Sequence, residues 1–437
     1  MIKTLTLITA LLLTVSVSAQ NQQTDQKLIK EFQDMKFGMF VHWGPVALRG
    51  AEIGWTRGHQ VAMDDYDNLY KEFNPMLFNA EEWIKAAKDA GMKYFVITTR
   101  HHDGFSLWDT EYSDYNIMNT PYGKDVLKAM KQACDKYGIV FGTYYSICDW
   151  KHPYYPLSHI KGVDKPDADM EKFYKFIKGQ TKELIEKYDT KILWFDGEWE
   201  KPWTHEYGQD FYNYLKGLNS EVLINNRVDK GRKGMEGITI SNEFAGDYAT
   251  PEQRIGTYNI NTPWESCITI CNQWAWKPND KLKSYKEIMQ TLLKTVGGGG
   301  NLLLNIGPMP DGRIEQRQID RLKKVGDWLK EYGESVYGTT GGPYMSADWI
   351  SSTRKGNKIF LQVFNLKGNE LELPSPGDTK VKSCSVMNGK QLKYKQTKET
   401  LTIQVPEELK HDVVTTIELI LNGDAAEISD IEIKHKE

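Results

Sequence analysis

The amino-acid sequence predicts an α/β protein in which a (β/α)8-like barrel is followed by a small C-terminal antiparallel β-sandwich domain. From Phe37 onward, short apolar runs alternate with amphipathic helical stretches, and the alternation repeats at least five times, which is typical of parallel strands joined by helices. A further strand-like run, Asn301 to Gly307, follows four consecutive glycines at the position that closes a barrel. No glycine-rich dinucleotide-binding motif follows the first strand, so a barrel is favoured over an open doubly wound sheet.

The predicted elements of the barrel alternate in order along the chain. The first strand spans Phe37 to Trp43, and after it each helix leads into the next strand. The predicted pairs are the helix Glu81 to Ala90 with the strand Lys93 to Arg100, the helix Lys124 to Tyr137 with the strand Ile139 to Ser146, the helix Glu171 to Tyr188 with the strand Lys191 to Asp196, and the helix Phe211 to Leu218 with the strand Val222 to Arg227. Beyond these pairs the apolar period is hard to read until the strand that begins at Asn301, which the helix Gln316 to Tyr332 follows.

The last part of the chain has a different period. Past about Tyr344 the helical period disappears, and short alternating runs such as Lys358 to Asn365 and Val413 to Leu421 take its place. Alternation with a period of two is typical of antiparallel strands. We therefore predict a barrel domain over residues 20–344 and a β-sandwich domain over residues 345–437.

The first residues have the pattern of a secretory signal peptide. Lys3 precedes an apolar run from Leu5 to Val17, and the small residues Ser18 and Ala19 follow it. We therefore predict a cleaved signal peptide over residues 1–19 and export to the periplasm or beyond the cell. No later stretch reaches the roughly 20 apolar residues that a membrane helix requires, so we predict no membrane span.

The amino-acid composition limits the classes of molecule that the protein is expected to bind. Lys plus Arg total 55 and Asp plus Glu total 59, which gives a net charge of −4 without a basic run, and this argues against nucleic acid as a partner. The five cysteines are too few and too scattered for a disulfide framework. The 13 tryptophans and 23 tyrosines offer flat faces of the kind that pack against sugar rings, although large barrels also bury many aromatic residues.

One acidic side chain stands where a barrel carries its chemistry. The run Ile192 to Asp196 fits a buried parallel strand, and Gly197 begins the loop after it. Enzymes with this barrel place reactive groups at the carboxyl ends of the strands. Asp196 is therefore a candidate nucleophile or base, with a loop-capping aspartate as the structural alternative.

Polar ring side chains stand at the ends of three other predicted strands. His42 follows the apolar run of the first strand, His101 and His102 close the second, and Tyr144 lies near the end of the third. Side chains at the same rim of one barrel are expected to share a pocket. A metal site is the alternative use of three histidines, but a single His followed by Trp and Gly does not match the first strand of barrel metallohydrolases. We predict no metal and assign the imidazoles to hydroxyl groups of a neutral ligand.

A second carboxyl group is needed if this pocket hydrolyses a glycosidic bond. Such enzymes usually hold two carboxyl groups on opposite sides of the anomeric carbon. The candidates are Glu52, Glu243, Glu252 and Glu265, and spacing alone does not select one of them. Glu198 and Glu200 lie so close to Asp196 in sequence that we predict solvated side chains for both.

Five motifs taken together resemble the α-L-fucosidases of glycoside hydrolase family 29. In chain order they are FVHWG at 40–44, HHDGF at 101–105, YYS at 144–146 with Asp149-Trp150, WFDG at 194–197 and GNLLLNIGP at 300–308. They occur in the family's order from about Phe37 to Tyr344, so the resemblance covers the whole predicted barrel. It implies release of terminal α-L-fucose from a fucosylated oligosaccharide or glycoconjugate by an exo-acting, retaining double displacement, without metal or organic cofactor.

The resemblance also implies roles for individual residues. Asp196 matches the nucleophile, Glu252 is the best match for the acid/base, and Glu265 ranks second. The family's Glu-Trp-Tyr motif has its nearest match in Glu52-Ile53-Gly54-Trp55, a departure that leaves the linkage preference open. The predicted substrate-binding residues are Phe40, His42, Glu52, Trp55, His101, His102, Tyr144, Trp194, Arg227, Glu265 and Trp274.

Phe40 and Trp274 are expected to select the sugar by contacting the C5 methyl group of fucose. Burying a hydroxyl group against such an aromatic wall without a partner costs about 1 to 3 kcal/mol. We also expect Arg227 to keep Asp196 ionised while Glu252 holds a proton, with the two carboxyl groups about 5 to 5.5 Å apart.

Three other functions remain compatible with the residues. They are an exo-glycosidase for a related galacto-configured sugar, a carbohydrate-binding protein without turnover, and a metal-dependent hydrolase. The intact Asp196 with several glutamates nearby argues against the binding protein. The sequence makes no prediction of oligomeric state.

Overall fold

A curled parallel sheet surrounded by helices forms the first part of the computed structural model, which describes residues 24–237, 243–364, 366 and 368–433. The strands of this sheet are β1 (Phe37–Val41), β2 (Tyr94–Arg100), β3 (Val140–Ser146), β4 (Ile192–Asp196), β5 (Leu223–Ile224), β6 (Glu265–Thr269) and β7 (Asn301–Ile306). The helices are α1 (Gln26–Met35), α2 (Met63–Asn68), α3 (Ala80–Asp89), α4 (Val126–Tyr137), α5 (Met170–Glu186), α6 (His205–Leu218), α7 (Tyr285–Gly297) and α8 (Gln316–Tyr332).

An irregular segment completes the parallel sheet. The strand order is β5-β4-β3-β2-β1-β7-β6, so β5 and β6 are its two edges. Residues 248–252, here called the sixth stave, lie between these edges and join both of them through single parallel bridges. The bridged pairs are Asn225 with Tyr248, Ala249 with Trp264, and Glu252 with Cys267. The predicted (β/α)8-like fold class is confirmed, with one irregular stave among the described residues.

The sixth stave is irregular for local reasons. Gly246 has a φ of +132°, and Gln253 has a φ of +53°, so the backbone turns at both ends of the segment. Pro251 has no N–H group to donate to a neighbouring strand. The regular apolar alternation that predicts a strand is absent here, which explains why no element after Arg227 could be predicted from the pattern.

Alternate side chains of each strand face the barrel interior and the surrounding helices. On β4, Ile192 and Trp194 belong to the interior core, whereas Leu193 and Phe195 belong to the core beneath the helices. Asp196 continues the inward series, so its carboxylate projects into the barrel mouth at the carboxyl end of β4. The interior core is rich in aromatic side chains, among them Phe40, Tyr94, Tyr144, Trp194 and Tyr248.

Helix α1 closes the opposite end of the barrel, a feature that the sequence analysis did not identify. The Phe32 ring packs against Tyr94 and Tyr248, with ring centroids 5.8 and 4.6 Å apart. The Phe32 carbonyl accepts a hydrogen bond from Asn301 Nδ2 at 2.7 Å. Helix α1 therefore packs on the amino ends of β2 and β7, opposite the rim that carries Asp196.

Two antiparallel sheets form the C-terminal region. The strands are β8 (Thr340–Gly341), β9 (Ile350–Lys355), β10 (Lys358–Val363), β11 (Glu370–Pro374), β12 (Val381–Val386), β13 (Lys393–Gln396), β14 (Thr400–Gln404) and β15 (Thr415–Leu421). One sheet has the order β12-β15-β10-β9-β8 and the other the order β11-β14-β13. Apolar side chains from both sheets, such as Leu361 and Leu401, share one buried cluster, as expected for the predicted sandwich.

Three predictions concern the chain termini, membranes and cysteines. The predicted signal peptide, residues 1–19, lies outside the described residues. In the described ranges, no helix has both the length and the apolar character needed to cross a membrane. All five cysteines fall within these ranges, where they are buried and form no disulfide.

Candidate active site

Asp196 ends β4 at the barrel mouth, and polar groups hold its carboxylate in place. Arg227 Nη1 donates to Oδ1 at 2.6 Å, and the Tyr144 hydroxyl donates to Oδ2 at 3.0 Å. His102 Nε2 lies 3.6 Å from Oδ2. Burial on its own would raise the pKa of Asp196, but the positive charges of Arg227 and Arg232 outweigh it and hold the pKa below its ordinary value. The carboxylate is therefore ionised, as a nucleophile requires.

Arg227 connects Asp196 to a second carboxylate. Its Nη2 donates to Glu252 Oε2 at 2.8 Å, and its Nε donates to Thr250 Oγ1 at 2.8 Å. The guanidinium also lies over the indole of Trp194, with Cζ 4.4 Å from the ring centroid. Thr250 and Glu252 are two residues apart on the sixth stave and reach the same guanidinium. Asp196 and Glu252 therefore face each other across a single positive charge.

The imidazole of His42 is neutral and presents an acceptor nitrogen. Asn305 donates through Nδ2 to the carbonyl of Trp274 at 2.8 Å, so its Oδ1 accepts from His42 Nδ1 at 2.7 Å. The proton of His42 is therefore on Nδ1, and Nε2 is the acceptor. Burial lowers the pKa of His42 to about 3, which keeps the ring uncharged.

A hydrogen bond to Ser146 orients the imidazole of His102 in the same way. Ser146 Oγ donates to the carbonyl of Cys148 at 2.6 Å and so accepts from His102 Nδ1 at 2.6 Å. The acceptor nitrogen, Nε2, is buried near Asp196 and has no hydrogen-bond partner among the described residues. Burial lowers the pKa of His102 to about 4. An unpaired buried acceptor beside the candidate nucleophile is suited to a hydroxyl donor on a ligand.

His101 completes the polar wall beside Tyr144. The two rings are stacked, with centroids 5.3 Å apart and an interplanar angle of 8°, and burial lowers the pKa of His101. A Cβ atom on Gly54, where φ is +69°, would lie 2.9 Å from His101 Nδ1, so glycine is required for this loop to approach. Within the described ranges, no group of three or more His, Cys, Asp or Glu side chains is arranged to hold a metal ion.

Phe40 and Trp274 form an apolar corner of the pocket, with ring centroids 6.0 Å apart in an edge-to-face contact. Glu52, predicted to bind the substrate, contacts the backbone beside this corner. Its Oε2 accepts from the backbone N–H of Trp274 at 2.8 Å, and its Oε1 accepts from that of Ala275 at 3.0 Å. Burial raises the pKa of Glu52 despite these bonds. We therefore assign Glu52 to positioning the Trp274 loop rather than to substrate contact.

Two exposed tryptophans stand at the outer rim. Trp55 is 48% exposed and Trp199 is 44% exposed, and their rings lie 6.4 Å apart at an angle of 16°. The Trp199 ring also contacts His102 at 5.5 Å. Trp55 was predicted from the sequence and Trp199 was not, although a tryptophan three residues after Asp196 is a recognisable signal. Flat exposed rings of this kind can stack on a sugar.

Glu265 lies in the barrel interior rather than in the pocket, which corrects its predicted contact with substrate. It is the first residue of β6 and is fully buried. Its Oε2 accepts from the Tyr94 hydroxyl at 2.6 Å, and its Oε1 accepts from Trp194 Nε1 at 2.9 Å. Because both oxygens are occupied by the interior core, Glu265 supports the indole of Trp194 from within the barrel.

The burial of Glu265 predicts a specific dependence of stability on pH. Burial raises its pKa from 4.5 to about 7, against the opposing effect of its two hydrogen bonds and of Arg227. Between about pH 4.5 and 7, Glu265 therefore keeps its proton in the folded state but loses it in the unfolded state. The contribution of Glu265 to the free energy of unfolding is complete below about pH 4.5 and is lost as the pH rises to about 7. The expected loss is on the order of 3 kcal/mol.

Thermal unfolding of wild-type protein and Glu265→Gln from pH 4 to pH 8 measures this contribution. The variant should gain in Tm relative to wild type as the pH rises through the window. Asp103, whose pKa burial raises to about 6, is present in both proteins and cancels in the comparison. Parallel curves of Tm against pH would show that Glu265 does not titrate in this way.

Glu198 is buried and Glu200 is half-buried, whereas both were predicted to be solvated. Glu198 is 4% exposed and accepts from Arg232 Nη1 at 3.1 Å. Glu200 accepts from Trp150 Nε1 at 2.8 Å and from the Tyr155 hydroxyl. The loop after β4 therefore folds back over the barrel mouth instead of extending into solvent. Arg232 has no recognisable sequence signal and was missed.

The chain is similar to known proteins over the whole of this barrel. The family model described as Alpha-L-fucosidase matches residues 12–334. Plasma alpha-L-fucosidase of Homo sapiens is 30% identical over 330 residues, which cover 70% of this chain and 69% of that protein. Tissue alpha-L-fucosidase of Homo sapiens is 31% identical over 335 residues, which cover 70% of this chain and 68% of that protein.

Solved structures share the fold over nearly the full length. Alpha-L-fucosidase isoenzyme 1 from Paenibacillus thiaminolyticus has a TM-score of 0.82 and 31% identity, covering 91% of this chain and 99% of that one. An alpha-L-fucosidase from Bacteroides thetaiotaomicron, solved as a trapped covalent intermediate with 2-fluoro-fucosyl fluoride, has a TM-score of 0.83 and 28% identity, covering 92% of this chain and 97% of that one.

Proposed function

This chain belongs to the α-L-fucosidase family, and from that premise we propose that it releases terminal α-L-fucose from glycans by an exo-acting, retaining double displacement. It is a glycoside hydrolase with α-L-fucosidase activity. The proposal adds the stereochemical course, the residues that act and the parts of the substrate that they contact.

The observation that carries the proposal is the pairing of Asp196 and Glu252 with one guanidinium. Arg227 binds Asp196 at 2.6 Å and Glu252 at 2.8 Å. Retaining glycosidases hold their two carboxyl groups about 5 to 5.5 Å apart, whereas inverting ones leave about 6.5 to 9.5 Å for a water molecule. Two carboxylates that share a guanidinium support the shorter, retaining separation.

In the first step, Asp196 Oδ2 or Oδ1 attacks the anomeric carbon of fucose while the bond from that carbon to the glycosidic oxygen breaks. Glu252 gives its proton to the departing oxygen, so the rest of the glycan leaves as an alcohol. The product is a fucosyl ester on Asp196. The low pKa of Asp196 supports this role, because the carboxylate enters the reaction ionised.

In the second step, the ionised Glu252 takes a proton from a water molecule as that water attacks the anomeric carbon. The ester bond breaks, and Asp196 recovers its negative charge beside Arg227. Two inversions at the same carbon give net retention. The Arg227 guanidinium compensates whichever of the two carboxylates is ionised at each stage.

The neutral imidazoles support binding of an uncharged sugar. Nε2 of His42 and Nε2 of His102 are acceptors for sugar hydroxyl groups, and Tyr144 and His101 line the same wall. The apolar corner of Phe40 and Trp274 suits the C5 methyl group of fucose, since a hydroxymethyl group there would lose hydrogen bonds to water. The two Trp rings at the outer rim, Trp55 and Trp199, suit the next sugar of the glycan.

We also propose that the enzyme acts outside the cytoplasm. The charged start, apolar run and small residues at positions 1–19 support a cleaved signal peptide. The enzyme would then meet its glycan in the periplasm or beyond the cell.

Proton NMR of the first turnovers tests the proposed function. With 4-nitrophenyl α-L-fucoside as substrate, α-L-fucose should be the first anomer released, and the β anomer should follow only by mutarotation. First release of β-L-fucose would exclude double displacement. The same assay with aryl α-L-galactoside, which carries a C6 hydroxyl in place of the methyl hydrogen, tests the apolar corner and the rival galacto-specific function.

A further inference from the structure

Asp196 and Glu252 belong to a longer, largely buried array of alternating charges. Arg232 Nη2 donates to Glu252 Oε2 at 3.2 Å, and Arg232 Nη1 donates to Glu198 Oε1 at 3.1 Å. The array therefore runs in the order Asp196, Arg227, Glu252, Arg232, Glu198. Three carboxyl groups face two guanidinium groups, so the array is neutral only when it holds one proton.

Glu198 is the outer end of this array and has an incomplete set of partners. Its Oε1 binds Arg232, while its Oε2 is buried without a hydrogen-bond partner among the described residues. Lys230 lies nearby, but its Nζ donates to the backbone carbonyl groups of Glu198 and Glu200. Burial and the charge of Asp196 raise the pKa of Glu198, against Arg227 and Arg232. The ionised form of Glu198 therefore depends on the guanidinium beside it.

We propose that Glu198 is a positioning residue that sets the protonation of Glu252 through the Arg232 guanidinium that the two carboxyl groups share. This inference rests on the proposed function, in which Glu252 is the acid/base. Nothing in the first or second step requires Glu198 to touch the sugar.

The surroundings of Glu252 favour its ionised form. A general acid must hold a proton before the glycosidic bond breaks, yet each guanidinium that contacts a carboxyl group favours its ionised form. Cys267, which bridges to Glu252 across the neighbouring strand, has a neutral thiol because burial raises its pKa. Arg254, two residues after Glu252, pairs at the surface with Glu236, whose neighbour Met235 accepts a hydrogen bond from the Glu252 backbone N–H. Two positive charges thus oppose protonation of Glu252.

Glu198 offsets one of these charges. When Glu252 holds its proton, Arg232 keeps an ionised partner in Glu198, so the guanidinium is not left unpaired in a buried site. When Glu252 ionises to act as the base, Arg232 is shared between the two carboxylates. An ionised Glu198 therefore favours the protonated, acid form of Glu252.

Charge-removing variants with opposite expected signs test this coupling. In the profile of kcat/KM against pH, the alkaline limb reports loss of the proton from the acid in the free enzyme. Glu198→Gln keeps an oxygen for Arg232 but removes the negative charge, so the alkaline limb should move to lower pH by about one unit. Arg232→Gln removes the positive charge, so the same limb should move to higher pH.

Glu236→Gln is the matched control, because it removes a carboxylate from an exposed ion pair four residues after Arg232. Its alkaline limb should coincide with that of wild type. Equal alkaline limbs for Glu198→Gln, Arg232→Gln and wild type would overturn the inference, and so would shifts of the same sign. A variant that misfolds would lose activity at every pH without moving the limb, and the second variant would then decide.

The proposed function is tested separately by Glu252→Gln. If the alkaline limb on a fucoside whose leaving group needs a proton disappears in Glu252→Gln but is unchanged in Glu198→Gln, Glu252 is the acid and the inference about Glu198 fails alone. If Glu252→Gln keeps the wild-type alkaline limb, the acid assignment itself fails.

Discussion

Replacing Asp196 with glycine should reduce kcat/KM for 4-nitrophenyl α-L-fucoside by about 10⁴-fold or more, because no other described carboxylate lies in position to form the glycosyl ester. Binding of fucose, measured by calorimetry, should change much less. His42, Phe40 and Trp274 are not held by Asp196 and keep their partners. The expected result is therefore an inactive enzyme that still binds the sugar.

Added azide gives this variant a diagnostic product. A small anion can enter the space left by the missing carboxylate and attack the anomeric carbon once, with inversion. Asp196→Gly with azide should therefore form β-L-fucosyl azide. The matched control is Asp189→Gly, because Asp189 is exposed and already has a φ of +47°, which glycine adopts without strain. Near wild-type turnover by Asp196→Gly without azide would remove this residue from the chemistry.

Replacing Glu252 with alanine should have an effect that depends on the leaving group. Natural fucosides need protonation of the departing oxygen, so their kcat/KM should fall by about 10² to 10⁴-fold. A 2,4-dinitrophenyl fucoside has a leaving group that departs without a proton, so its first step should be much less affected. Steady-state turnover should then be limited by the second step, which lacks its base.

Azide should also react in Glu252→Ala, but its product should have the opposite anomeric configuration to the product of Asp196→Gly. In Glu252→Ala the fucosyl ester on Asp196 still forms, and azide attacks it in place of water. The product should be α-L-fucosyl azide, formed with net retention. Equal losses on both substrates without rescue by azide would argue against Glu252 as the acid/base, and β-L-fucosyl azide from this variant would contradict double displacement.

The regular part of the barrel was predictable from the sequence because its signals are local. Each of the first four strands is an apolar run that ends in a polar group, and parallel strands bring their carboxyl ends to one rim. This reasoning correctly brought His42, His102, Tyr144 and Asp196 together. Burial and hydrogen bonding then determine their protonation, which no sequence pattern encodes.

The sixth stave could not be predicted from the hydrophobic pattern. Its backbone turns at Gly246 and Gln253 and lacks a donor at Pro251, so hydrophobic alternation gives no register for Glu252. The family resemblance, rather than periodicity, selected this residue. The contacts of Arg227 with Thr250 and Glu252 depend on tertiary closure of the barrel.

The interior position of Glu265 follows from its place at the start of a strand. Glu265 is the first residue of β6, and the amino ends of barrel strands lie away from the rim. A clear reading of β6 would have placed Glu265 in the interior from the sequence alone. Glu198 and Arg232 are 34 residues apart and lie on different loops, so no local sequence pattern predicts their ion pair.

Trapping the glycosyl-enzyme tests the central claim most directly, namely that Asp196 forms a covalent ester with fucose. Wild-type enzyme is incubated with 2-deoxy-2-fluoro-L-fucosyl fluoride, digested, and mapped by tandem mass spectrometry. One fucosyl label per chain, attached to the carboxylate of Asp196 and released when a fucosyl acceptor is added, is the predicted result. A label on another side chain, or turnover of the reagent without any covalent adduct, would contradict the account.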